Sequence, residues 1–172
     1  MTTIVQVAFL RKGKRYPLVR GNEEFSISPE VWEFFRNVSS IQDLGERLSR
    51  TVLVIDAAFD PRKRSQYREL VVGKLSEISG SRVVLLDPDT GIEPTKASGA
   101  HVTKEDIEAV WRALREEDWL VLYQHASRNK DWDKLAQKKF DDICGVSSES
   151  FTAPKIAADV AFFAARKTRL AG

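Results

Sequence analysis

The stretch Arg82-Val-Val-Leu-Leu-Asp87-Pro-Asp89-Thr-Gly91-Ile-Glu93 constrains what this chain can fold into more than any other. A short apolar run stops abruptly at two carboxylates, a proline and a glycine. Such a run, bounded by turn residues, reads as a strand buried on both faces. In open α/β sheets, ligands bind in the crevice beyond the carboxyl ends of such strands. The pattern therefore predicts that Asp87 and Asp89 stand at that crevice.

Other segments repeat this form. Thr51-Val-Leu-Val-Ile-Asp56 is a β-branched run ending in Asp, and Trp119-Leu-Val-Leu-Tyr123 runs into Gln124-His125-Ala-Ser-Arg128. Helical spacing fills the gaps. Asp60-Pro61 starts one helix by cap and proline, and Tyr67, Leu70, Val71, Lys74 and Leu75 continue it to about Ile78. Thr103-Lys-Glu-Asp106 starts another in capping-box form, with Ile107, Val110, Trp111 and Leu114 as its stripe. A third runs from about Lys130 to Ile143 and stops at Gly145. Phe151 to Ile156 reads as extended, confined to an edge by Pro154, and Asp159 to Ala165 reads as a final strand.

Alternating strands and helices predict an α/β fold, a Rossmann-like three-layer sandwich whose mostly parallel sheet is covered on both faces. Residues 1–172 read as a single domain, with a 51–172 core and a small N-terminal hairpin and helix addition over 1–50. In that addition, Ile4 to Leu10 pairs back with Tyr16 to Val19 around the basic turn Arg11–Arg15. Ser28-Pro29-Glu30 opens one helix there, and a second covers Ser40 to Leu48.

Composition narrows the function classes. The formal net charge is +2, too small to imply nucleic acid by itself. One cysteine and two histidines rule out an internal disulfide and a Cys/His zinc cluster. No apolar run approaches the roughly 20 residues of a membrane span, and Met1-Thr-Thr-Ile-Val-Gln lacks the form of a signal peptide. A cytoplasmic protein with no membrane partner is the expectation. The oligomeric state is left open.

The chemistry-bearing residues are expected at the strand ends. Asp87, Asp89 and His125 are the candidate catalytic groups. Several carboxylates near one point favour a shared proton or a divalent cation, so Asp87 and Asp89 are also candidate Mg²⁺ ligands. His125 would act as general acid or base. Gly91, Glu93, Lys96, Ser98, Tyr123, Gln124 and Arg128 are candidate substrate-binding residues, with Lys96 and Arg128 neutralising a phosphate. Asp56 is expected to join the same edge. Arg62, Lys63, Arg64 and Arg68 crowd the start of a helix, where the dipole disfavours cations, so they are expected to face either solvent or something acidic. The glycine-rich, Walker and nucleophile-elbow signatures of familiar NAD, ATP and hydrolase sites are absent.

Leu86-Asp87-Pro-Asp89-Thr-Gly91-Ile-Glu93, then Leu122-Tyr123-Gln124-His125 and Arg128, resembles a bacterial family of unestablished function. That family carries a Leu-Asp-Pro-Asp-x-Gly-[Ile/Leu]-Glu stretch and a Tyr-Gln-His-x-x-Arg strand end. The resemblance spans about residues 82–165. Its Asp-Pro-Asp element is in turn similar in place to the Asp-Pro-Pro-Tyr element of Rossmann-type nucleic-acid amino-methyltransferases. The resemblance implies S-adenosylmethionine as a cofactor. Three expectations follow. The first is a protein acting on or binding a nucleotide or nucleic acid at the Asp-Pro-Asp loop. The second is a methyltransferase-like S-adenosylmethionine-binding protein. The third is a non-catalytic interaction module using its basic patches.

Overall fold

The computed structural model describes residues 2–8, 19–20, 23–24, 51–55, 57–94, 99, 101–153 and 157–168. Six strands form one sheet: β1 (Thr3–Ala8), β4 (Thr51–Ile55), β5 (Arg82–Asp87), β6 (Trp119–His125), β7 (Glu149–Ala153) and β8 (Ala157–Arg166). Their order is β4-β1-β5-β6-β8-β7. β2 (Val19–Arg20) and β3 (Glu23–Glu24) make a separate antiparallel ribbon. The described helices are α1 (Arg64–Glu77), α2 (Lys104–Ala113) and α3 (Trp132–Cys144).

This corrects the expected Rossmann-like, mostly parallel sandwich in two respects. First, the sheet is mixed. β1 pairs in parallel with β4 and β5, and β5 with β6, but β8 runs antiparallel to both β6 and β7. Only three residues separate β7 from β8, far short of the dozen or more that a parallel crossover needs. Second, β1 is no part of a peripheral hairpin. It is an interior strand, with Val5 opposite Leu53 on one side and Val84 on the other. The reason is in its residues: Val5 and Val7 are fully buried, which an edge ribbon could not achieve. Among the described residues, the three helices lie side by side on one sheet face. α2 packs between α1 and α3, and α3 packs on β8. The expected helices over Ser28–Val38 and Ser40–Leu48 and the strand from Tyr16 lie wholly or largely outside the described residues.

The strands alternate accordingly. Val84 and Leu86 on β5, Leu120 and Leu122 on β6, and Ala161, Phe163 and Ala165 on β8 are buried toward the helices. Their partners on the helices are Tyr67, Val71 and Leu75 of α1, Ile107, Val110 and Trp111 of α2, and Phe140 of α3. The Phe140 and Phe163 rings lie 6.2 Å apart. The predicted local signals hold in detail. Asp60 caps the turn Pro61–Lys63 that leads into α1, Thr103 and Asp106 form a reciprocal capping box, and Gly145 ends α3 in the left-handed region, φ 70°.

A buried ion pair pins the opposite end of this face. Arg82, fully buried, donates from Nε to Asp118 Oδ2 at 2.8 Å and from its backbone N–H to Asp118 Oδ1 at 2.8 Å. Its remaining donors reach the carbonyls of Leu75 (2.6 Å) and Ala113 (3.1 Å), at the ends of α1 and α2. A cation at two helix C-termini complements both dipoles. One guanidinium thereby ties β5, two helix ends and the turn before β6 into a single unit.

Candidate functional site: a polar and aromatic cluster on the open sheet face

Alternation along the strands sends every second side chain to the face away from the described helices, named the open face only because no described helix lies on it. On that face, at the carboxyl end of the parallel strands, stand Gln6 of β1, Asp87 of β5, Tyr123 and His125 of β6, and Phe162 of β8. The chain leaves β1 for β4 on one side and β5 for β6 on the other, so the strand order reverses between β1 and β5. Such a reversal is where open α/β sheets form their binding crevice. Gln6 and Asp87 sit across that boundary, and the Gln6 amide Nε2 donates to Asp87 Oδ2 at 2.8 Å.

The electrostatics of Asp87 follow from its neighbours. Burial pushes its carboxyl above the usual 3.8; the Gln6 hydrogen bond opposes this, Asp89 raises it further and His125 lowers it. Beside it, the Tyr123 hydroxyl and His125 Nε2 are hydrogen-bonded at 2.9 Å. Burial, then Asp87, then Asp159, push the Tyr123 phenol up to about 12. It therefore keeps its proton at neutral pH, able to donate to a neutral imidazole or accept from a charged one. The Tyr123 ring meets His125 edge-on at 4.9 Å and Phe162 at 5.3 Å. Phe162 is opposite Tyr123 in register, and Phe151 of β7 is opposite Phe162. These two phenylalanines remain 37% and 53% exposed.

Asp87, Tyr123 and His125, predicted as site residues, thus come together. Asp89 lies exposed in the following bend, near enough to act on Asp87 electrostatically. Gly91, Glu93 and Gln124 are engaged in building the loop. Gln124 is buried on the helix side; its Oε1 accepts from the Ile92 N–H at 2.8 Å, and its Nε2 donates to the carbonyls of His125 (2.8 Å) and Thr90 (3.3 Å). Gly91 has φ +99°, and a Cβ there would lie 2.3 Å from Gln124 Oε1, so only glycine lets the loop cross this amide. Glu93 accepts from the Lys104 N–H at the start of α2, and its carbonyl accepts from Lys139 Nζ. Arg128 is exposed beyond β6. Lys96, Ser98 and Asp56 fall outside the described residues, and β1 separates Asp56's strand from that of Asp87.

Sequence reasoning missed Gln6 and the two phenylalanines as site residues. Gln6 had a signal: it is the one polar residue in the apolar run Ile4-Val5-Gln6-Val7 of an interior strand. Three cations of the basic cluster before and within α1 pair with acids of the chain itself. Arg64 is bonded to Asp106, Arg68 Nε donates to the same carboxylate at 3.0 Å, and Arg62 pairs with Asp60. Arg64 also lies 4.7 Å over the Phe59 ring.

Among the described residues, no group of three or more His, Cys, Asp or Glu is placed to hold a metal ion. Asp87 and Asp89 remain a pair that could share one with a phosphate. S-adenosylmethionine fits the chain poorly. The sequence between β1 and β4 has only Gly13, Gly21 and Gly45, far apart, and none follows β4 until Gly73. Past β4, Phe59 is buried edge-on against Tyr67. No described helix is long and apolar enough to cross a membrane. Compared with known proteins, the chain matches no family model, no curated protein and no solved structure.

Proposed function

We propose that the chain is a cytoplasmic protein that binds a nucleotide or nucleic-acid base at the carboxyl edge of its open sheet face. The observation that carries this reading is the Gln6–Asp87 pair at the strand-order reversal, with Tyr123 and His125 beside it. A carboxylate next to an amide presents both acceptor and donor atoms to the edge of a base; Asp accepts well from an exocyclic amino group. Tyr123 and Phe162 supply ring surface for stacking, and Arg128 lies beyond the same strand end as a phosphate contact. His125 is the group placed to move a proton, so an activity on the bound base would run through the His125–Tyr123 pair. If the nucleotide brings a Mg²⁺ ion, Asp87 and Asp89 would be the carboxylates to hold it, and the ion would neutralise phosphate charge.

Thermal unfolding with a panel of nucleotides, with and without Mg²⁺, tests the reading. A ligand at about 100 times its dissociation constant stabilises the fold by roughly 2.7 kcal/mol. Asp87→Asn, which keeps shape but changes the acceptor pattern, should remove that gain. The reading fails if no nucleotide stabilises the wild type, or if Asp87→Asn responds to every nucleotide as the wild type does.

A further inference from the structure

The atoms at the Asp87 site also discriminate between bases. An ionised carboxylate offers acceptors only, on two oxygens held side by side. At Asp87 an N–H from Gln6 Nε2 reaches Oδ2 at 2.8 Å. Burial still leaves the carboxyl above its usual 3.8, so this donor offsets the burial only in part. A ligand that brings two adjacent N–H donors would supply what the carboxylate lacks, as bidentate charge-assisted pairs do.

Bases read along the Watson–Crick edge differ at this point. Guanine presents two neighbouring donors, N1–H and the N2 amino group, with the O6 acceptor beside them. Adenine and cytosine present an amino group next to a ring-nitrogen acceptor, which would face a carboxylate lone pair. Uracil and thymine present one N–H between two carbonyls. Of these bases, guanine alone matches both oxygens of a carboxylate. The Gln6 amide carries a second N–H, the kind of group that O6 requires. The surrounding charges act in the same direction. Asp89 raises the Asp87 carboxyl, and Asp159 adds to the rise of the Tyr123 phenol. A potential of that sign favours N–H donors over the acceptors that the other bases present, and the choice needs no phosphate contact.

We propose that the Asp87 site is selective for guanine, with the Asp87 carboxylate accepting from N1–H and from the N2 amino group. The proposal rests on the nucleotide-binding reading of this site and names the base. Tyr123, on the strand paired with that of Asp87, supplies ring surface for the purine.

Isothermal titration calorimetry of the full chain with the 5′-monophosphates of guanosine, inosine, adenosine, cytidine and uridine tests it. All carry the same ribose and phosphate, so their ratios report the base alone. Guanosine monophosphate should bind most tightly. Inosine monophosphate, which lacks only the N2 amino group, should bind about 10- to 150-fold more weakly, the loss of one hydrogen bond to a charged group. Asp87→Asn keeps the shape and turns one acceptor into a donor. It should lose guanosine monophosphate and prefer xanthosine monophosphate, in which a carbonyl replaces the N2 amino group. A merely structural Asp87 would not exchange one base for the other. Circular dichroism verifies the variant's fold, and the wild-type guanosine-to-inosine ratio decides without it. Equal affinity for those two ligands, or tighter binding of another base, overturns guanine selectivity and leaves the nucleotide-binding reading standing. An Asp87→Asn variant that keeps every wild-type affinity overturns both. Agmatine is the last arm, since its guanidinium presents two parallel donors with a positive charge. If it binds and no monophosphate does, the carboxyl serves a cation and both readings fall.

Discussion

The two faces of the sheet are built from the same strands, residue by alternate residue, yet they obey different rules. On the helix side, Val84, Leu86, Leu120, Leu122 and Phe163 are fully buried, and the polar groups Arg82, Asp118 and Gln124 are each matched by named partners. On the open side, a half-buried carboxyl carries an unfavourable shift, a tyrosine and a histidine lean on each other, and two phenylalanines meet solvent. Polar groups are matched on both faces, but only the open one combines a raised carboxyl with exposed rings. The helix face holds the molecule together. The other face carries the proposed site, where burial raises the Asp87 carboxyl.

The largest effect that could break this contrast is expected at the ion pair. Asp118→Ala strands Arg82 in the core, and removing one partner of a buried pair costs about 3–5 kcal/mol. Urea unfolding measures it; a loss below about 1 kcal/mol, the range of exposed pairs, would show that the pair does not organise the helix face.

Two adjacent residues sharpen the comparison further. Phe163 points to the helices and Phe162 away from them. Phe163→Ala should cost about 3–5 kcal/mol, as for a large buried ring. Phe162→Ala should cost about 1 kcal/mol, chiefly its edge-on contact with Tyr123. Equal losses at the two positions would mean that the open face is packed like the other.

The smallest effect is the most informative about the site. The folded carboxyl of Asp87 binds its proton more tightly than the unfolded one, so its contribution to stability is fully present below pH 3.8 and is lost as pH rises through its raised value. Asp87→Asn removes the charge that causes this loss. The variant should unfold at a higher temperature than wild type at pH 7, with the gap closing as pH falls toward 3.8. A variant that is less stable at pH 7, or a gap independent of pH, would show that the ionised Asp87 is well accommodated.

Much of the helix face was legible in the sequence. Asp60-Pro61, the Thr103–Asp106 capping box and Gly145 are local signals whose partners lie within a few residues, and each acts where expected. Asp87, Tyr123 and His125 were legible for the same reason: a strand end followed by turn residues marks an edge. What could not be read was pairing between distant segments. Nothing local in Ile4-Val5-Gln6-Val7 says that it inserts between β4 and β5, so Gln6 went unnoticed and the order and direction of the strands were misjudged. The role of the Arg64 and Arg68 charges was hidden likewise, because Asp106 lies about forty residues on in the chain. Gln124 and Gly91 read as ligand-binding types, yet a buried amide and a positive φ serve the loop itself.

Nuclear magnetic resonance titration tests the central claim most directly. Each nucleotide would be added to the isotope-labelled protein, and the backbone and side-chain amide shifts followed. The account predicts that the perturbed signals cluster at Gln6, Asp87, Asp89, Tyr123, His125 and Phe162, with Arg82, Asp118 and the α1 and α2 amides unmoved. Shifts that gather instead on the helix face, or no saturable shift with any nucleotide, would contradict it.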